Sequence, residues 1–156
     1  MKVAVAFDHK GVSLREAVLA ALGDHDVLDL GTQDDSVRVD YPDKARQVGE
    51  AIQNGEAERA VLVCGSGVGA AVAACKLTGI RAAICHDVYS AHQGVEHDDM
   101  NVLCLGSEVV GAAVAGELVA AFLRAEFNTV EPRYAARLEK VAAMEKEMKG
   151  VPEPAA

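Results

Sequence analysis

Short apolar runs separated by helix-length amphipathic stretches constrain this chain more than any other feature. Val3–Phe7, Val27–Leu30, Ala60–Cys64, Arg81–Cys85 and Val102–Leu105 each read as a strand. Between them lie helical stretches: Leu14–Leu22 with Ser13 placed to cap it, Pro42 to about Gln53, Ala70–Leu77, Val88–Val95 and Val109–Arg124. Parallel neighbours need a crossover connection, so this alternation predicts a five-stranded parallel sheet covered by helices on both faces. The unbroken apolar character of Ala60–Cys64 predicts burial on both sides. A last helix, about Tyr134–Met148, carries Leu138, Val141, Met144 and Met148 near one face. No strand follows it, so it covers the sheet edge or reaches a partner subunit. Residues 1–150 read as a single domain and 151–156 (VPEPAA) as a disordered tail.

Composition narrows the function classes. The chain is 51% hydrophobic with no Trp and 4% aromatics, so its core is built from small aliphatics. Twenty-four acidic residues against 15 basic ones give a net charge of -9, which disfavours a nucleic-acid partner. No apolar run reaches the roughly 18–20 residues of a membrane span. The N-terminus lacks a signal peptide's apolar segment and cleavage site, and the four cysteines (Cys64, Cys75, Cys85, Cys104) form no CxxC pair. Reduced thiols in the cytoplasm are expected. Cys75, Cys85 and Cys104 read most simply as core residues.

In open parallel sheets ligands bind outside the carboxyl ends of the strands. Those ends deliver Asp8-His9-Lys10, the segment Cys64–Gly69 (CGSGVG) and His86-Asp87; His97-Asp98-Asp99 precedes the fifth strand and Gly106-Ser107 follows it. Glycines at 65, 67 and 69 allow backbone N–H groups to face an anion, with the positive end of the following helix favouring a Cys64 thiolate. The plain alternative is a tight turn with a buried thiol. The GxGxG spacing is not the dinucleotide fingerprint GxGxxG, and Ala70 and Ala71 stand where a cysteine phosphatase wants an arginine. His97 is either a solvated residue or an acid–base group, since imidazole titrates near neutrality. Asp8-His9, His86-Asp87 and His97-Asp98 lack the spacing of a metal site, and none is expected. Arg133 and Arg137 share a helical face, as a solvated pair or as a two-pronged phosphate clamp.

DHKG at 8–11, DYP at 40–42, CGSGVG at 64–69, GIRAA at 79–83, HDDMNVLCLG at 97–106 and RYAAR at 133–137 together resemble the type B ribose-5-phosphate isomerases and their galactose-6-phosphate isomerase relatives. The motifs occur in the family's order and cover about residues 1–148. The resemblance implies a Rossmann-like three-layer α/β/α sandwich and a homodimer or dimer of dimers with sites shared between subunits. It implies aldose–ketose isomerisation of ribose 5-phosphate and ribulose 5-phosphate through a cis-enediolate, without metal or organic cofactor. Cys64 corresponds to the base that moves a proton between C1 and C2. Ser66 and the amides of Gly65, Gly67, Val68 and Gly69 correspond to the donors facing the enediolate. His97, from the neighbouring subunit, corresponds to the group that protonates the ring oxygen. Asp8, His9, Tyr41 and Asp98 correspond to substrate contacts, and Arg133 and Arg137 to the phosphate holders.

Two positions depart from the family pattern. Asp98 stands where Asn is common, and Glu108 where a GSR segment carries a phosphate-binding arginine. The first replaces a neutral donor with a carboxylate and the second reverses a charge. Both bear on which tetrose, pentose or hexose phosphate the site takes.

Overall fold

In the computed structural model, which describes residues 1–148, the five apolar runs become strands. They are β1 (Lys2–Phe7), β2 (Asp26–Asp29), β3 (Arg59–Cys64), β4 (Ala82–Ile84) and β5 (Val102–Gly106). All pair in parallel, in the order β2-β1-β3-β5-β4. The helices are α1 (Arg15–Ala21), α2 (Tyr41–Gln53), α3 (Val68–Ala74), α4 (Val88–Asp98), α5 (Ala112–Arg124) and α6 (Pro132–Met148). The fold is the expected Rossmann-like α/β sandwich. No described helix is long and apolar enough to cross a membrane. The tail expected at 151–156 lies outside the described residues.

Period-two alternation sorts the strands' side chains into two cores. Val3, Val5, Phe7, Val61, Val63, Leu103 and Leu105 pack with Val18 of α1, Val95 of α4 and Leu118 and Phe122 of α5. The opposite face carries Ala4, Ala6, Ala60, Leu62, Cys64, Val102 and Cys104 against Val48 of α2 and Ala70 and Ala74 of α3. The second face is built of smaller side chains, so α2 and α3 lie close to the sheet and to each other. β3 is the middle strand, buried from Ala60 to Cys64, and it carries Cys64 to the carboxyl edge.

Several element ends differ from the expectation. Ser13 does not cap α1: its Oγ donates to Lys10 O, and a 3-10 turn over Gly11–Leu14 precedes the helix. The reason lies in the DHKG turn. Asp8 Oδ1 accepts the Gly11 N–H at 2.8 Å and draws Gly11 onto β3, where a Cβ would sit 2.3 Å from Val63 O. A backbone carbonyl cannot yield, so Gly11→Ala should cost about 2 kcal/mol and lower Tm by about 4–8 °C, readable by thermal melting. A Tm unchanged in Gly11→Ala would show that the turn relaxes freely.

α4 runs three residues beyond Val95, because the periodic apolar pattern ends before the helix does. Its cap is Asp99, in the left-handed region at φ 49°, pinned by Arg81 through Asp99 O and Oδ2 at 2.6 Å each. α5 begins at Ala112 rather than Val109, since the N–H groups of Val109 and Val110 both turn back to Gly106 O. Cys75 is not a core residue: it caps the short α3, exposed, with its thiol on Ala82 O. Cys85 and Cys104 are buried as expected. Burial pushes the Cys85 thiol up to about 11 and the Cys104 thiol well above the ordinary range, so both stay neutral.

Candidate active site

Two clusters hold the residues singled out from the sequence, at opposite ends of the sheet. At the carboxyl end, Cys64 is 3% exposed and its Sγ accepts the Gly67 N–H at 3.2 Å. That bond ties the sulfur to the loop. Gly67 takes φ 81°, which lets the loop fold back over the sulfur. Ser66 Oγ accepts the Val68 N–H at 3.2 Å and so fixes the start of α3. With seven residues, α3 has little helix field to offer, and the loop's own N–H groups do the polar work at Cys64.

Three further residues surround this loop. Asp8 is 5% exposed, its backbone N–H on Val63 O and its carboxylate on Gly11. His9 Nδ1 lies 3.0 Å from Val39 O and 3.4 Å from Val39 N, so the ring is held against the backbone of residue 39. Tyr41, the first residue of α2, lays its ring over Gly69; a Cβ at 69 would meet ring carbons at 2.7–2.9 Å. Gly69 is therefore a fitting surface for Tyr41 as well as a loop residue.

The other cluster sits at the amino end of β5, separated from Cys64 by roughly 15 Å of strand at about 3.3 Å per residue. His97 occupies the last turn of α4 and stacks on Tyr134 of α6, centroids 4.0 Å apart at 19°. Gln93 Nε2 stands 2.6 Å from His97 Nδ1 and donates to it, so the imidazole hydrogen lies on Nε2. Arg133 Nη2 donates to Tyr134 Oη at 3.2 Å, and its guanidinium lies 5.0 Å over the same ring. Asp98 and Arg137 line a groove of about 950 Å³ between α6 and the edge of β4. The sequence sets His97 just before the fifth strand, and the structure holds it at that strand's amino end, away from the thiol loop. Within one chain Cys64 and His97 do not share a site.

Sequence reasoning missed Gln93 and Tyr134, which hold His97. Gln93 is one helical turn before His97, a spacing that becomes a signal only once the helix is known to run past Val95. A cation–anion pair stands at the mouth of the thiol loop, as expected of a Glu108 that turns from the phosphate to a nearby cation. Glu108 turns to Lys10, with Oε1 2.5 Å from Nζ, and its other oxygen lies 3.3 Å from where a Cβ of Gly65 would be. Glu108 holds the Lys10 ammonium above its ordinary range through this hydrogen bond.

The fold is an open parallel α/β sandwich, the class in which small ligands bind outside the carboxyl edge, and the hydrogen-bonded Cys64 stands at that edge. Comparison with known proteins narrows the class. Residues 3–141 match the model of the Ribose/Galactose Isomerase family. Ribose-5-phosphate isomerase B of Escherichia coli is 41% identical over 146 residues, 92% of this chain and 96% of that one. D-erythrulose-4-phosphate isomerase 2 of Mycolicibacterium smegmatis is 37% identical over 149 residues, covering 93% and 97%. The structure of ribose-5-phosphate isomerase B from Mycoplasma genitalium with bound ribulose-5-phosphate superposes with a TM-score of 0.85 at 33% identity, covering 94% and 97%. The chain belongs to the Ribose/Galactose Isomerase family, and it is an isomerase.

Proposed function

We propose that the protein interconverts ribose 5-phosphate and ribulose 5-phosphate, with Cys64 as the base. The observation that carries this reading is the Cys64 sulfur held by Gly67 N–H in a chain of this isomerase family. The thiolate takes the proton from C2 of the open-chain aldose, leaving a cis-enediolate, and returns it to C1. Electron density moves from the C2–H bond into the C1–C2 double bond and onto the carbonyl oxygen. Ser66 and the free loop amides face that developing charge. Asp8 passes the hydroxyl proton between O2 and O1. A thiol base requires a reducing compartment, which supports a cytoplasmic enzyme. No metal or organic cofactor enters this scheme.

The separation of the two clusters supports a homodimer in which His97, Asp98, Arg133 and Arg137 of the partner subunit complete the site. Val68, Val72, Val88, Tyr89, Val141 and Met144 are exposed around the β4 edge and supply an apolar surface for such an interface. Gln93 leaves the hydrogen of His97 on Nε2, where it can pass to a furanose ring oxygen. His97→Ala should therefore impair ribose 5-phosphate far more than a tetrose phosphate, which is too short to close a furanose. Equal losses in a side-by-side kinetic assay would remove ring opening as its role.

A panel of aldose and ketose phosphates, assayed in both directions, tests the substrate. A second reading, a four-carbon substrate, is favoured by the Lys10–Glu108 pair across the loop mouth and by similarity to the D-erythrulose-4-phosphate enzyme. Either way Glu108 is paired with a cation rather than aimed at the phosphate, and Arg133 and Arg137 hold the dianion. Arg137→Ala should raise KM about tenfold or more, as loss of one charge-assisted contact does. Glu108→Arg should lower KM or leave it nearly unchanged. An unaltered KM in Arg137→Ala, with the unphosphorylated sugar turned over as well as its phosphate, would overturn the clamp.

A further inference from the structure

His86 stands at the carboxyl end of β4, beside the thiol loop, and has no place in the isomerisation scheme above. β4 pairs with β5 up to Ile84 and Cys104, and Cys85 N still reaches Cys104 O at 3.4 Å. A continuing parallel ladder would next offer the carbonyl of Cys85 to the N–H of Gly106. The Gly106 N–H instead donates to His86 Nε2 at 3.0 Å, so a side chain supplies the last rung of the sheet. An amide N–H can only donate, so His86 Nε2 is the acceptor in this bond.

The thiol loop crosses the sheet at this rung. A Cβ on Gly67 would lie 3.3 Å from both Gly106 N and Ile84 Cγ2, and one on Gly106 would lie 2.6 Å from Ser66 C and O. The next two residues are tied to the same loop: Ser107 N donates to Cys64 O and Glu108 N to Gly65 O, each at 2.9 Å. Gly106–Glu108 is thus the wall against which Cys64–Gly67 rests, and His86 fastens the start of that wall.

We propose that His86 is a positioning residue that holds, through Gly106, the loop presenting Cys64 and Ser66. The inference rests on the reading of Cys64 as the reacting thiol. Its effect belongs to kcat and not to KM, since the phosphate holders lie on α6.

The test compares His86→Leu with His86→Gln in a Cys75→Ser background, where the exposed competing thiol is gone. His86→Leu should lower kcat about tenfold or more with KM within about twofold, and change the iodoacetamide alkylation rate of Cys64 at least about threefold. His86→Gln, whose Oε1 can accept the Gly106 N–H, should recover most of both. Wild-type kcat and alkylation in His86→Leu overturn the proposal, as does a His86→Gln protein no better than His86→Leu. If His86→Leu does not fold, His86→Lys, a donor only, takes its place, and wild-type rates in it are equally fatal. Alkylation at Cys64 reads the loop directly, so it separates this inference from the base assignment, which fails only if Cys64→Ala still turns over.

Discussion

Cys64→Ala should lose at least about a thousandfold in kcat, within the range that a positioned general base contributes. The fold should survive, because the side chain is small and the loop is held by backbone bonds from Ser107 and Glu108 to Cys64 O and Gly65 O. Sugar phosphate should still bind, since the proposed holders, Arg133 and Arg137, are elsewhere. Cys64→Ser should be nearly as poor, because a hydroxyl hardly ionises at neutral pH. Iodoacetamide should inactivate the wild type, with substrate protecting. Cys85 and Cys104 contribute little to that labelling, since burial raises both thiols. Cys75 is exposed, so peptide mapping or a Cys75→Ser background is needed to assign the loss. Turnover near wild type in Cys64→Ala would end the proposed mechanism.

What was legible in the sequence follows from where local pattern decides structure. The strands were readable because apolar runs bounded by glycine and polar residues have few other uses in a chain of this length. Cys64–Gly69 is readable because three glycines at alternate positions suit neither a helix nor a strand, so their presence points to backbone geometry. The ends were less readable. α1 starts late because Gly11 is pulled onto Val63, a contact between residues 52 positions apart that no local pattern carries. The end of α4 is hidden because its apolar repeat stops at Val95, while polar residues carry the helix on to Asp98. The Lys10–Glu108 pair joins two strand ends and required the strand order to be known.

That strand order also sorts the site residues into two sets that genetics can distinguish. Cys64 and its loop lie at one end of the sheet, and His97 with Arg137 at the other, so a shared site predicts complementation between sets and none within a set. On the proposed shared site, Cys64→Ala and His97→Ala homodimers would each lack a required group in both sites. In a mixed dimer one site carries both lesions and the other carries neither. Random exchange makes half the dimers mixed, each with one intact site of two, so an equal mixture should recover about a quarter of wild-type activity on ribose 5-phosphate. Assayed well below KM, where Arg137→Ala is itself impaired, Cys64→Ala should likewise be rescued by Arg137→Ala, which lies with His97. His97→Ala mixed with Arg137→Ala should recover nothing beyond its parents, because one intact site would need both residues from the same chain. Mass spectrometry of differently tagged chains reports the exchange itself. Exchange without recovery would mean that each chain builds its own site, and the roles given to His97 and Arg137 would fall with the dimer.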